Sequence, residues 1–174
     1  MKYVALLRGI NVGGNNKVSM LELKAMFEDL GFFDVQTYIN SGNVIFSGKQ
    51  SRLKKVEPAF VERFGFPIKF LFVDKNKLKD IHDTIPTHWT NDAKQKTDVW
   101  FLWDEYADES SLELLSINCE VDEVLYVHGA IIWHILRSDY SKSGLNDIIG
   151  SKLYKNLAAR NVNTVRKIFK LIQD

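Results

Sequence analysis

The feature that most constrains this chain is the segment Arg8-Gly-Ile-Asn-Val-Gly-Gly-Asn-Asn-Lys17, here called the 8–17 loop. An apolar run at residues 3–7 precedes it and predicts a short buried strand. The capping-box pattern Ser19-Met-Leu-Glu22 follows it and predicts a helix start. Because glycine backbones and a helix N-terminus both offer N–H donors, the segment favours an anion-binding loop, flanked by two positive charges.

The loop does not match the known phosphate-binding fingerprints. Gly9 and Gly14 have the P-loop separation, but Asn15 follows where that motif has lysine, and the dinucleotide G-x-G-x-x-G pattern is absent. The alternative interpretation is a long turn whose glycines only satisfy backbone geometry. From the residues alone, both interpretations stay open.

The first half of the chain predicts an α+β fold. Apolar periodicity gives the order β-α-β-β-α-β, typical of a ferredoxin-like plait, with strands at 3–7, 35–39, 44–47 and 67–73 and helices at 19–30 and 51–64. In that topology the end of the first strand and the turn Asn40-Ser-Gly-Asn43 lie at the same edge of the sheet. We therefore expect the 8–17 loop to meet this turn.

The second half predicts a further β-α-β-β unit, followed by C-terminal helices. Its strands are expected at 98–103, Glu123–Val127 and Ala130–Leu136, and its helices at 108–117, at 145–157 and from Thr164 onward with Asn163 as the N-cap. The expected organisation is two packed α+β subdomains, residues 1–85 and 86–174.

Charge is nearly balanced overall but unevenly distributed. The net charge is +1, yet residues 1–73 carry +4, residues 74–123 carry −8 and residues 137–174 carry +5. This pattern is compatible with an ordinary solvated surface or with a basic face formed by the two ends.

Composition and spacing exclude several classes of protein. Cys119 is the only cysteine, no apolar run reaches transmembrane length, and no signal peptide opens the chain, so a cytoplasmic location without membrane association is expected. The four histidines are scattered and have no zinc spacing, so no metal and no cofactor are predicted. Oligomeric state is not predicted.

Three ordered motifs resemble the bacterial domain-of-unknown-function 1697 family. They are ALLRGINVGGNNKVSM, TYINSGNVIF and the C-terminal Arg160-Asn161-Val-Asn-Thr164, with a family-like Asp139-Tyr-Ser-Lys142 upstream. Ala158 departs from the family pattern, which often has threonine there. The resemblance covers nearly the whole chain and implies a fold more firmly than an activity.

The leading functional hypothesis is binding of a small phosphate-bearing or nucleotide-like anion, with or without catalysis. The alternatives are an RNA-binding protein that uses a basic face and a structural or protein-interaction module. The candidate ligand-binding residues are Arg8, Gly9, Asn11, Gly13, Gly14, Lys17, Asn40, Ser41, Gly42, Asn43, Arg160 and Asn161.

Overall fold

The computed structural model describes residues 1–174 and consists of two four-stranded sheets with helices. The α+β class predicted from the sequence is confirmed. The strands are β1 Lys2–Leu7, β2 Phe33–Tyr38, β3 Asn43–Ser47, β4 Phe70–Asp74, β5 Gln95–Leu102, β6 Glu123–Val127, β7 Ala130–Leu136 and β8 Leu157–Asn161. The α-helices are α1 Met20–Asp29, α2 Val56–Phe64, α3 Lys75–Thr84 and α4 Val162–Gln173.

The first sheet has the strand order β2-β3-β1-β4, and all of its neighbouring strands are antiparallel. Strands β1 and β2 are therefore separated by β3, as a β-α-β-β-α-β plait requires. This order brings the end of β1 beside the start of β3, where Leu6 pairs with Asn43.

Strand β1 of the first sheet packs apolar side chains on both of its faces. Tyr3, Ala5 and Leu7 of β1 belong to a buried cluster with Leu23 and Phe27 of α1. Val4 and Leu6 of the same strand, which face the other way, are fully buried as well. A strand buried on both faces explains why β1 is a continuous apolar run rather than an alternating pattern.

Local signals set the helix boundaries in this half. The Ser19 hydroxyl accepts a hydrogen bond from the Glu22 N–H (3.4 Å), which confirms the predicted start of α1. Gly31 ends that helix in the left-handed region, with φ of 79°. The predicted helix at 51–64 is only partly correct, because Gln50–Lys55 is a 3₁₀ helix and α2 begins afterwards. Pro58 then lies in the first turn of α2, where its missing N–H costs no helical hydrogen bond.

The second sheet repeats the order of the first: β6-β7-β5-β8, again antiparallel. The hairpin strands β6 and β7 have the predicted bounds. Strand β8 was not predicted from the sequence. It pairs with β5, and Arg160 lies opposite Val99.

Two helix predictions in the second half are wrong. The segment 108–117 contains a 3₁₀ helix, Glu109–Leu114, although Asp108 caps it as expected by accepting the Ser110 N–H at 2.9 Å. The segment 145–157 contains short 3₁₀ turns that lead into β8. Leu145 and Leu153 are buried because these turns pack on the second sheet. Apolar side chains at helical spacing can pack in this way even though the segment forms no α-helix.

The last helix begins earlier than the sequence suggests. Helix α4 starts at Val162, and the Asn161 side chain rather than Asn163 caps it, since Asn161 Oδ1 accepts the Thr164 N–H at 3.0 Å. None of the helices is long and apolar enough to cross a membrane.

By its internal contacts the chain forms two compact units. One comprises residues 1–78 and 168–174, and the other residues 79–167. Helix α4 therefore contributes residues to both units. The division at residue 85 inferred from the sequence stays a prediction.

Candidate functional site

The tip of the 8–17 loop is a narrow two-residue turn. The Asn15 N–H donates to the Val12 carbonyl (3.2 Å), and these two residues form an isolated antiparallel bridge. Gly13 and Gly14 occupy the tip with φ of 60° and 79°. Two successive left-handed residues are the signature of a type I′ turn, which explains the glycine pair. No atom outside the immediate neighbourhood lies within 4 Å of where a Cβ would stand at either glycine, so the space beside them is open.

Two asparagine side chains hold the base of the loop. Asn11 Oδ1 accepts the Val18 N–H at 2.8 Å, and its Nδ2 donates back to the Val18 carbonyl at 3.0 Å. Asn16 Nδ2 donates to the Gly9 carbonyl at 3.0 Å. Both asparagines are in the left-handed region, which asparagine tolerates better than most residues. Their amides therefore fix the shape of the loop.

The 8–17 loop meets the 40–43 turn at one edge of the first sheet. Asn11 Nδ2 also donates to the Asn40 carbonyl (3.0 Å), and the Leu7 N–H donates to the Gly42 carbonyl (2.9 Å). Gly42 has φ of 84°, and a Cβ there would stand 2.6 Å from Leu7 Cβ. The predicted convergence of the two segments is thus present, and it depends on a close approach at glycine.

The remaining residues of the turn serve the hairpin as well. Asn43 is completely buried, and its Nδ2 donates to the Tyr38 carbonyl (3.0 Å) and to Ser41 Oγ (3.2 Å). Asn40 and Ser41 are exposed. The structure thus uses the amide donors of Asn43 internally and leaves the outer part of the turn accessible.

The two cations of the loop differ in their surroundings. Lys17 is exposed and makes no ion pair. Arg8 is half-buried and already interacts with other groups of the protein. Lys17 is therefore the more accessible of the two positive charges.

Arg160 and Asn161 lie on β8, in the second compact unit. Arg160 is only 8 % exposed, and burial lowers the pKa of its guanidinium from 12.5 to about 10, so it stays charged at neutral pH. Its Nη1 donates to the neighbouring Ala159 carbonyl at 2.8 Å. The Asn161 side chain caps α4.

Sequence reasoning missed one unusual residue at the edge of the first sheet. Ile39, expected as the last residue of a strand, lies just beyond β2 with φ of 51° and is 47 % exposed. A branched apolar residue ordinarily indicates strand, so the sequence carried no signal of this conformation.

A buried carboxylate organises part of the second unit. Asp122 is 6 % exposed and accepts four hydrogen bonds, from Trp133 Nε1 (3.2 Å), Ser143 Oγ (2.5 Å) and the N–H groups of Asn118 (2.9 Å) and Gly144 (3.1 Å). Every lone-pair direction of the carboxylate is occupied, which makes this group a structural anchor rather than a reactive acid.

A second buried group lies between β5 and β7. The ring of Trp89 stacks on His134, with centroids 4.6 Å apart and planes inclined by 12°. Thr97 Oγ1 donates to the Thr90 carbonyl (2.7 Å), so the contact of 2.8 Å between Thr97 Oγ1 and His134 Nδ1 has the imidazole as donor. Burial lowers the pKa of His134 below its usual 6.5. The arrangement fixes the connection before β5, and the one hydroxyl beside the ring, that of Thr97, donates its proton to a backbone carbonyl and not to the imidazole.

The histidine, cysteine, aspartate and glutamate side chains include no group of three that could hold a metal ion. The candidate site is therefore an arrangement of backbone, amide and lysine groups at the joined loops. Such groups recognise anions and polar ligands, and they supply no evident general base.

Comparison with known proteins agrees with the sequence motifs. A solved structure, described as the conserved bacterial protein SP0830 from Streptococcus pneumoniae, is 28 % identical over 98 % of each chain, with a TM-score of 0.83. No curated protein matches the chain. Residues 1–133 match the family described as "Protein of unknown function (DUF1697)". The chain therefore belongs to the DUF1697 family.

Proposed function

We propose that this protein binds a small anionic, phosphate-bearing ligand at the 8–17 loop, beside the 40–43 turn. The observation that carries the proposal is an open space next to Gly13 and Gly14, on a loop whose base is fixed by Asn11 and Asn16. A preformed loop loses little conformational entropy when it binds, which favours affinity. We keep the cytoplasmic location expected from the sequence as part of this proposal.

The chemistry of the loop supports an anion over a cation. The loop carries the glycine turn and, three residues after Gly14, the exposed Lys17, and no acidic residue occurs between positions 1 and 21. An anion near exposed lysine gains a charge-assisted hydrogen bond, which contributes about 1.5–3 kcal/mol. Because the helix start is already capped by Ser19, the proposal rests on the loop and not on the helix dipole.

The proposal assigns structural roles to the two candidates of the second unit. Arg160 is deeply buried, and Asn161 is engaged as a helix cap. We therefore expect substitutions at these positions to change stability rather than affinity.

The test is a thermal-shift screen with phosphate, sulfate and phosphate esters, followed by calorimetric titration of the wild type, Lys17→Ala and Lys54→Ala. Lys54 is the matched control because it is also exposed and lies on the 3₁₀ helix that follows β3, beyond the opposite end of that strand. We expect Lys17→Ala to weaken binding roughly ten- to a hundredfold and Lys54→Ala to leave it unchanged. Absence of binding by any anion, or equal loss in both variants, would contradict the proposal.

RNA binding is the alternative function, and the burial of one face of the first sheet restricts which surface could bind RNA. Plait proteins that read RNA stack bases on aromatic side chains of an exposed sheet face. Here Val4, Leu6 and Val73, on the face opposite α1 and α2, are fully buried. RNA binding would therefore need a basic surface, and retention that falls steeply with salt would support it. A protein that binds neither anions nor RNA would fit the structural or interaction role.

A further inference from the structure

Ile39 has a backbone conformation that its side chain disfavours. Its φ of 51° lies in the left-handed region, where a branched side chain crowds the backbone. Asparagine or glycine would adopt this conformation at lower cost, and every other left-handed residue of the two loops is a glycine or an asparagine, as at Asn11 and Asn16.

Ile39 also leaves about half of its apolar surface exposed to solvent. It is 47 % accessible to solvent, and it is not part of the buried cluster of the first unit. Residues with a strained backbone persist when the surrounding structure determines their conformation, and they cluster at active sites and ligand sites.

The position of Ile39 links it to the candidate site. Its neighbour Asn40 accepts the hydrogen bond from Asn11 that joins the two loops. On the other side of this bond, Val12 is 69 % exposed and directly precedes the glycine turn. Val12 and Ile39 are each one residue, about 3.8 Å along the chain, from the joined pair. Each partner of the hydrogen bond that joins the loops therefore has an exposed apolar residue next to it in the chain.

We propose that Ile39 and Val12 form an apolar subsite that contacts the ring of a phosphorylated ligand of the nucleoside monophosphate class. The inference rests on the proposed function, since it places the phosphate at the glycine turn and Lys17. Aliphatic side chains that cover one face of a planar ring, beside a small number of polar groups, are the usual composition of a small-molecule site.

The expected gain is modest and measurable. Burial of about 50 Å² of apolar surface corresponds to an affinity gain of roughly tenfold. The exposed fractions of Val12 and Ile39 leave enough surface for such a contact. Adenosine monophosphate should therefore bind about tenfold more tightly than ribose 5-phosphate, which has the phosphate and the sugar but no ring system.

The experiment titrates the full-length protein with inorganic phosphate, ribose 5-phosphate, adenosine monophosphate and adenosine. The decisive variant is Ile39→Asn. Asparagine relieves the left-handed strain, so the melting temperature should rise, while affinity for adenosine monophosphate should fall about tenfold and affinity for ribose 5-phosphate should not change. If Ile39 had only a structural role, the Ile39→Asn variant would not become more stable and at the same time lose affinity for adenosine monophosphate alone. Leu21→Gln is the control, since Leu21 is 78 % exposed but lies on α1.

Each outcome separates this inference from the function on which it rests. Equal affinities for adenosine monophosphate and ribose 5-phosphate, or unchanged nucleotide binding by Ile39→Asn, would overturn the apolar subsite and leave anion binding intact. Failure of every phosphate-bearing ligand to bind would overturn both. Binding of adenosine as tight as that of its monophosphate would overturn the phosphate assignment.

Discussion

Replacement of Gly42 by alanine tests whether the close approach of the two loops is essential to the fold. The added Cβ would stand 2.6 Å from Leu7 Cβ and 2.8 Å from Ile10 Cδ1. Ile10 can move its terminal methyl group, but Leu7 Cβ is fixed to the backbone of a fully buried strand. The substitution therefore forces a displacement of β1 or of the turn.

The magnitude follows from two separate costs. An alanine at positive φ costs about 1–2 kcal/mol, and overpacking of a dense core costs about 1–3 kcal/mol. Gly42→Ala should thus lower the free energy of unfolding by about 2–5 kcal/mol. Gly13→Ala is the matched control, because Gly13 also has positive φ but has open space around it, and it should cost only about 1–2 kcal/mol. Any loss of unfolded-state entropy upon Gly→Ala replacement applies to both variants and cancels in their difference.

The assay is urea unfolding of the wild type and both variants, monitored by far-UV circular dichroism. With a slope of about 2 kcal/mol per molar urea, the midpoint of Gly42→Ala should lie roughly 0.5–1.5 M below that of Gly13→Ala. Coincident midpoints for the two variants would refute the reasoning. They would mean that the turn and β1 separate easily, and that the fixed junction inferred here does not exist in solution.

Three further predictions follow from contacts described above. Asn11→Ala removes three hydrogen bonds, each contributing about 0.5–1.5 kcal/mol, so its urea midpoint should fall well below that of Asn15→Ala, whose side chain makes none of these bonds. His134 has a lowered pKa in the folded state, so the unfolded chain binds its proton first as pH falls below about 6.5, and stability should decrease on acidification. His134→Asn keeps a donor toward Thr97 but cannot titrate, and a pH dependence of stability equal to that of the wild type between pH 7.5 and pH 5 would exclude His134 as a contributor. Treatment with a chelator should leave the melting temperature unchanged, whereas a drop restored by added zinc would reveal a metal requirement that the side-chain arrangement does not suggest.

The sequence predicted the first half well because its signals are local. Ser19 and Gly31 are sufficient to indicate where α1 begins and ends. The apolar run of β1 predicts a buried strand without knowledge of the strands that pair with it. The second half was predicted less well, because its structure depends on contacts distant in sequence. Strand β8 contains Ala158 and Ala159, which have no strand preference, and it exists through pairing with β5 some 60 residues earlier.

The meeting of the two loops was predicted from the sequence, but the hydrogen bonds that join them were not. Loop composition and topology indicated where the two segments meet. They did not reveal that Asn11, Asn16 and Asn43 use their side-chain amides within the protein, since hydrogen-bond partners are a property of the folded chain. The left-handed backbone conformation of Ile39 could not be predicted from the sequence either, because isoleucine rarely adopts it.

The division of α4 between the two compact units determines how the chain can be dissected. A fragment that stops near residue 78 omits residues 168–174, which belong to the first unit. Lys2, Leu171 and Asp174 line one groove of about 230 Å³, so the two ends of that unit lie close together. A permuted chain with residues 168–174 joined by a short glycine linker ahead of residue 1 would supply the missing helical turns. Such a permuted fragment, rather than a simple truncation, is the appropriate minimal form in which to ask whether the first unit binds a ligand by itself.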